Sequence, residues 1–177
     1  MKLGIKHGDL ISTRGTPDSL AAEVHDMYSP PGVANMTMLL FSHPSSEAHD
    51  PGPGHPERPD RIRAVMRALE APAFETLVRR EAARAEPDQI ARVHSREYVD
   101  ALLAVVPTDG LVAVDPDTML CPASGEAALR AAGAVIGAVD AVMAGEANAA
   151  FCAIRPPGHH AEPGRGMGAE RRVESRE

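Results

Sequence analysis

Two short apolar runs along the chain predict buried parallel strands. Residues 38–41 read MLLF and residues 149–154 read AAFCAI, and each run is followed at once by polar, proline-containing sequence. Continuous apolar runs of this length are typical of strands with helices on both faces of the sheet. We therefore expect both faces of the second strand to be covered.

Apolar residues at helical spacing predict helices between these strands. A helix capped by Asp60 and continuing to residue 71 is expected to pack on the sheet. Two further short helices are expected, one from Pro87 and one from Ser95, whose side chain can cap the second. The chain therefore alternates helices and strands, which favours an α/β fold.

The longest predicted helix opens at Ser124 and stops at Gly145, and its many small residues permit close packing. A short connection joins it to the strand at residues 149–154. This helix-to-strand order is typical of an α/β domain with a mostly parallel sheet.

The segment between the first strand and the Asp60 helix is expected to be a loop. Residues 43–59 contain five prolines and two glycines, a density that excludes a helix and favours an extended path. His43, His49 and His55 lie in this loop at six-residue intervals. Because such a loop does not present them on one face and no cysteine joins them, the interpretation as a metal site is disfavoured.

The first 35 residues predict a poorly ordered leader. They are rich in Gly, Pro, Asp and Ser and show no sustained apolar period. Met36 stands just before the first predicted strand and Met38 begins it, which raises the hypothesis that the translation start is set too early.

Charge and cysteine usage narrow the classes of partner and compartment. Eighteen Lys and Arg against 25 Asp and Glu give a net charge of −7, which disfavours direct binding of nucleic acid or anionic membrane. Cys121 and Cys152 form no CxxC pattern and are interpreted as structural thiols in a reducing cytoplasm. No apolar run approaches a membrane span, and the N-terminus lacks the continuous apolar stretch of an export signal.

The strongest candidate for chemistry is RPPGHHA at residues 155–161, directly after the second strand. Open α/β sheets build active sites at the carboxyl ends of their strands. Two prolines and a glycine restrict the backbone before His159 and His160, and imidazole is suited to accept and release a proton near neutral pH. The residues alone leave two interpretations open, an active site and a polar surface loop.

RPPGHHA resembles the tandem-histidine signature of the histone deacetylase and acetylpolyamine amidohydrolase superfamily, most of all its class II-like and bacterial members. Three further stretches agree in order and spacing: His49-Asp50 with HPERPDR at residues 55–61, VHSREYV at residues 93–99, and Asp117-Thr118 before the Ser124 helix. The resemblance covers residues 36–168 as the N-terminal portion of such a domain. It implies a three-layer arginase/deacetylase-like fold, incomplete in this chain.

The resemblance also implies a zinc-dependent hydrolase that removes acetyl groups from acetyl-lysine or acetylated amines. His160 would be the general base and later acid, and His159 would orient and stabilise electrostatically. Pro56 would belong to the rim of the substrate tunnel. Zinc is expected for the full-length family enzyme, with no metal ligand in this chain.

The last nine residues depart from the family pattern. Residues 169–177 form a charged tail where the family continues into another buried strand, and the family's metal-binding Asp and His, a second Asp and a catalytic Tyr all lie beyond this point. We therefore expect a frameshift or premature stop after Met167-Gly168, and zinc is not expected to bind to this chain. The alternatives are a catalytically inactive remnant or binding module, and a site completed by another chain.

Overall fold

The computed structural model describes residues 36–158 and 160–166, and a three-stranded parallel sheet lies at its centre. Within these residues the strands are β1 (Met38–Ser42), β2 (Val78–Glu81), β3 (Val112–Asp115), β4 (Thr118–Leu120) and β5 (Ala149–Ala153). The central sheet has the order β2-β1-β5, and β3 and β4 form a separate antiparallel pair. Both strands predicted from apolar runs are therefore confirmed, and they are direct neighbours.

The helices of the described residues alternate with the strands of the central sheet. They are α1 (Ser45–Ala48), α2 (Pro59–Ala68), α3 (Pro87–Ile90), α4 (Arg96–Ala104) and α5 (Ser124–Met143), with a 3₁₀ turn at Pro72–Phe74. The predicted cap of α4 is confirmed, because the Ser95 hydroxyl accepts a hydrogen bond from the amide of Tyr98. The predicted stop of α5 is also confirmed, since Gly145 adopts a φ of 74° just beyond the helix.

Helices cover opposite faces of the sheet. Successive β1 residues point to opposite sides, so Leu39 and Phe41 pack with α5 while Leu40 packs with α2. Small side chains let α5 approach closely, as Ala134 and Ala138 belong to the same buried cluster as Phe41. The result is a helix, sheet, helix sandwich, which confirms the predicted three-layer α/β architecture.

Two local predictions in the loop after β1 are wrong. Residues 45–48 form the short helix α1, because the backbone before the Pro51–Pro59 stretch is free of prolines once Pro44 has started the turn. The cap of α2 is Arg58, and Pro59 takes the first helical position. Asp60 instead lies in the first turn, where its carboxylate accepts a hydrogen bond from Arg63.

The expectation that both faces of the second strand are covered is also wrong in one place. Phe151 is 46% exposed, although Ala153 on the same face is buried with Ile62 and Leu69. The ten-residue helix α2 reaches the carboxyl end of β5 and leaves the middle of the strand open.

The predicted leader at residues 1–35, the tail at residues 169–177 and His159 lie outside the described residues, so the three-segment division stays a prediction. No helix in the part of the chain that the structure describes combines the length and apolarity needed to cross a membrane.

Candidate active site at the carboxyl ends of two neighbouring strands

The segments that carry the candidate residues leave the same end of the sheet. β1 and β5 pair in parallel, with Ser42 opposite Ala153, so the loop at residues 43–59 and the segment from Ile154 onward begin side by side. Parallel pairing therefore brings together two motifs that are about a hundred positions apart in the sequence.

Arg155 joins the two segments. It is 4% exposed, and four of its five side-chain N–H groups have a protein acceptor. Nε lies 2.5 Å from Oε1 of Glu57, and Nη2 donates to the Glu57 carbonyl at 3.1 Å. Nη1 donates to the carbonyls of Ser46 at 2.5 Å and of His49 at 3.0 Å. Burial lowers the pKa of Arg155, but a guanidinium remains charged.

Ser46 and Glu57 complete the connection from the loop side. The Ser46 hydroxyl, 1% exposed, accepts from the Arg155 amide at 3.1 Å and donates to the Arg155 carbonyl at 3.3 Å. The second carboxylate oxygen of Glu57 pairs with Arg61 of α2. The carboxylate thus lies between two guanidinium groups, which compensates the cost of burying its charge.

A second buried polar cluster lies below the loop, around His49. Nδ1 of His49 is 2.8 Å from the Ser124 hydroxyl at the start of α5, and that hydroxyl also accepts from the Cys121 amide at 2.8 Å. Desolvation, followed by the charge of Arg155, lowers the pKa of His49 to about 4. The ring is therefore neutral at physiological pH and acts as a structural hydrogen-bonding group.

The segment beyond the tandem histidines is held by the start of α4. The Ser95 amide donates to the Pro163 carbonyl at 2.6 Å, and His94 Nδ1 hydrogen bonds to the Glu162 carbonyl at 2.9 Å. The VHSREYV stretch thus contacts the same segment as the loop at residues 43–59, and the 155–166 segment is fixed at both ends.

Of the three predicted site residues, the structure describes His160 and Pro56. His160 is exposed, in a turn in which the Ala161 amide donates to the Gly158 carbonyl at 3.0 Å. His159 lies outside the described residues. Pro56 is exposed in the loop, between His55 and Glu57. The Nε2 atom of His55 donates a hydrogen bond to the Asp117 carbonyl at 3.2 Å.

A cavity of about 210 Å³ opens beside the Arg155–Glu57 pair, on the α2 side of the same sheet end. Its lining combines the Arg155–Glu57 pair with apolar side chains and consists of Glu57, Arg61, Ile62, Val65, Ile154, Arg155 and Pro157. Pro56 is not among these residues, so its role in a tunnel rim stays a prediction.

The described residues do not fit the zinc that the resemblance implies. Residues 36–158 and 160–166 contain no group of three or more His, Cys, Asp or Glu side chains arranged to hold a metal ion. His43, His49 and His55 have separate partners, respectively Ser45, Ser124 and Asp117.

Sequence reasoning missed the Glu57–Arg155 pair and the Ser124–His49 pair. A signal for the first was available, because a charged residue directly after a buried apolar strand must find a partner when the strand end is covered. Nothing in the spacing of His49 and Ser124 pointed to the second.

Comparisons with known proteins find relatives of one family. A family model described as "Histone deacetylase domain" matches residues 55–168, well over half of the chain. A probable deacetylase of Archaeoglobus fulgidus is 38% identical over 75% of this chain and 37% of its own length. A histone deacetylase-like amidohydrolase of Pseudomonas aeruginosa is 35% identical over 65% of this chain and 30% of its own length.

A solved structure shows the same fold. The crystal structure of the HDA15 HD domain superposes with a TM-score of 0.68 at 26% identity and covers 75% of this chain and 39% of that one. This chain spans between 30% and 39% of the length of these three relatives. On the family match over residues 55–168 and the shared fold, the chain belongs to the histone deacetylase family.

Proposed function

We propose that this chain supplies the tandem-histidine part of a hydrolase site that removes acetyl groups from acetyl-lysine or acetylated amines. The supporting observation is the place of the 155–166 segment. It leaves β5 beside the end of β1, is held there by Arg155, and presents His160 at an exposed position.

His160 is the general base and then the general acid in this proposal. Its imidazole takes a proton from the attacking water and returns it to the nitrogen of the leaving amine as the amide bond breaks. His159 orients the reacting groups and stabilises charge. Pro56 lies on the rim of the substrate path, one residue before Glu57.

Zinc, when bound in an amide hydrolase, polarises the carbonyl and lowers the pKa of a bound water. Because the described residues contain no donor set for it, zinc loading is a variable of the test. The substrate is an acetylated protein or small amine. Net charge disfavours nucleic acid as a direct partner, and we place the protein in the cytoplasm.

The test is an amide hydrolysis assay on the purified chain. Release of acetate from an acetyl-lysine peptide and from an acetylated polyamine is measured with and without added zinc. Turnover that falls by roughly a hundredfold or more in His160→Ala and is unchanged in His43→Gln, which removes an imidazole outside the proposed site, would support the proposal. Absence of turnover in the zinc-loaded chain contradicts catalytic competence of this chain.

A second candidate function is a non-catalytic binding module. Val135, Val139 and Met143 of α5 are 48%, 55% and 81% exposed and follow one another at four-residue spacing, which places them along one helix face. Such an apolar ridge favours association with a second copy of this chain. Sedimentation of the chain and of Val139→Asp tests it, and concentration-dependent association that the substitution abolishes, in the absence of hydrolysis, supports this candidate.

A further inference from the structure

The strongest structural coupling to the tandem-histidine segment comes from a residue outside the histidine pair. Arg155 precedes His160 by five positions, and two prolines and a glycine lie between them. Its side chain is 5% exposed, yet it carries a full charge, so its orientation is fixed by the acceptors around it. We propose that Arg155, with Glu57, is a positioning residue for His160.

The geometry of the guanidinium supports positioning. Its acceptors are the Glu57 carboxylate and three backbone carbonyls, those of Ser46, His49 and Glu57. All of them belong to the loop after β1. A planar guanidinium that bonds several fixed acceptors in its fork has little rotational freedom, which a lysine ammonium on a flexible stem does not reproduce.

The backbone of Arg155 is fixed by the same loop. The Ser46 hydroxyl binds both the amide and the carbonyl of Arg155, so main chain and side chain are held together. Pro156 and Pro157 follow directly and restrict the dihedral angles through which a displacement at Arg155 could be absorbed. Loss of the guanidinium contacts should therefore displace the turn that carries His160.

The charge of Glu57 can be removed without a change in how its side chain packs. The Glu57 side chain is 14% exposed and pairs with both Arg155 and Arg61. Replacement of its carboxylate by an amide keeps the shape and removes the charge. The pair can thus be weakened from either partner without opening a large cavity, which gives two independent variants.

The experiment compares Arg155→Lys and Glu57→Gln with Arg130→Lys in the full chain. Arg130 is a matched control, because its side chain also hydrogen-bonds a carboxylate, that of Glu126, and a backbone carbonyl, that of Ala82. Amide hydrogen exchange is measured at Arg155 and Ala161, with the interior of α5 as the reference for global unfolding. The His160 ring resonance, assigned with His160→Gln, is followed through a pH titration.

We expect at least a tenfold loss of protection at Arg155 and Ala161 in both variants, beyond any change in α5, together with a shifted His160 resonance and titration. Arg130→Lys should change these two amides by less than twofold relative to α5 and leave the His160 titration in place. The proposal would be overturned if Arg130→Lys lowered the protection of these two amides by as much as the two variants do. It would also be overturned if the amides inside α5 lost as much protection as Arg155 and Ala161. If Arg155→Lys does not fold, Glu57→Gln alone decides by the same criteria.

The importance of His160 for hydrolysis rests on the function proposed above, whereas these readouts need no activity. A chain that hydrolyses nothing but shows the localised loss contradicts the proposed function and supports positioning. A chain that hydrolyses with zinc but shows no localised loss contradicts positioning alone.

Discussion

The Ser124 hydroxyl lies 2.8 Å from Nδ1 of His49 and thereby joins the first residue of α5 to the loop after β1. Both residues are nearly inaccessible, at 2% and 4% exposure. The hydroxyl also accepts a hydrogen bond from the Cys121 amide. A single side chain therefore satisfies two buried polar groups from different parts of the chain.

Ser124→Ala should lower the free energy of unfolding by about 1–3 kcal/mol, because it leaves both of these groups without their partner. Urea denaturation measures the change. A double-mutant cycle with His49→Gln separates the hydroxyl–imidazole contact from other effects, and we expect a coupling of at least about 0.5 kcal/mol. Strict additivity of the two substitutions would argue against the contact.

The depressed pKa of His49 predicts a stability that depends on pH. In the unfolded chain an ordinary histidine binds its proton near pH 6.5, whereas His49 in the fold does so near pH 4. The unfolded state thus binds more protons as the pH falls through this window, and the fold loses stability on the order of 3 kcal/mol between pH 6.5 and 4.

Urea denaturation of the wild type and of His49→Asn across this range isolates the contribution of His49, because asparagine keeps a hydrogen-bonding group and removes the titration. The difference in unfolding free energy between the two proteins should change with pH in that window and stay constant above it. A difference that is flat from pH 7 to 4 contradicts the assignment.

Replacement of two glycines of α5 by alanine should change the stability of the fold in opposite directions. A Cβ at Gly133 would lie 1.9 Å from the carbonyl oxygen of Ala83, so Gly133→Ala must push the backbone away and should cost about 2–3 kcal/mol. A Cβ at Gly137 would lie 3.4 Å from the Phe41 ring, an ordinary contact. Gly137→Ala should therefore stabilise by about 0.5–1 kcal/mol through helix propensity. Thermal denaturation of both variants gives the two signs.

Loss of the side-chain cap of α4 should destabilise the start of the helix and leave the backbone contact to Pro163 in place. Ser95→Ala removes the acceptor for the Tyr98 amide and should cost about 1 kcal/mol, while Ser95→Asp restores a good cap. The hydrogen bond from the Ser95 amide to the Pro163 carbonyl is formed by the backbone and should persist. Amide exchange should accordingly accelerate at Tyr98 and remain slow at Ser95.

Apolar patterning sufficed for β1 and β5 and for α5, because each buries side chains in a continuous or periodic order that the chain displays directly. The strand β2 was not predicted, since its Arg79 and Arg80 are acceptable at the edge of a sheet, where one side of the strand has no neighbour among the described residues. Patterning thus indicates what is buried and misses strands that pair by backbone alone.

The sequence pattern likewise predicted one part of the candidate site and missed another. The tandem-histidine segment and its place after β5 were predicted, because strand polarity fixes where such a segment emerges. The contacts of Arg155 were not predicted, since they go mostly to backbone carbonyls whose directions depend on the path of the loop at residues 43–59. The catalytic roles of His159 and His160 and the rim position of Pro56 stay predictions.

The distance along the chain between Arg155 and its acceptors also bears on the order of events during synthesis. The loop that contains Ser46 leaves the ribosome 109 residues before Arg155 does. Until β5 emerges and pairs with β1, the carbonyls of that loop lack the cation that holds them, and Glu57 lacks one of its two counter-charges. We therefore expect the candidate site to be among the last parts of the described chain to become ordered as the nascent protein folds.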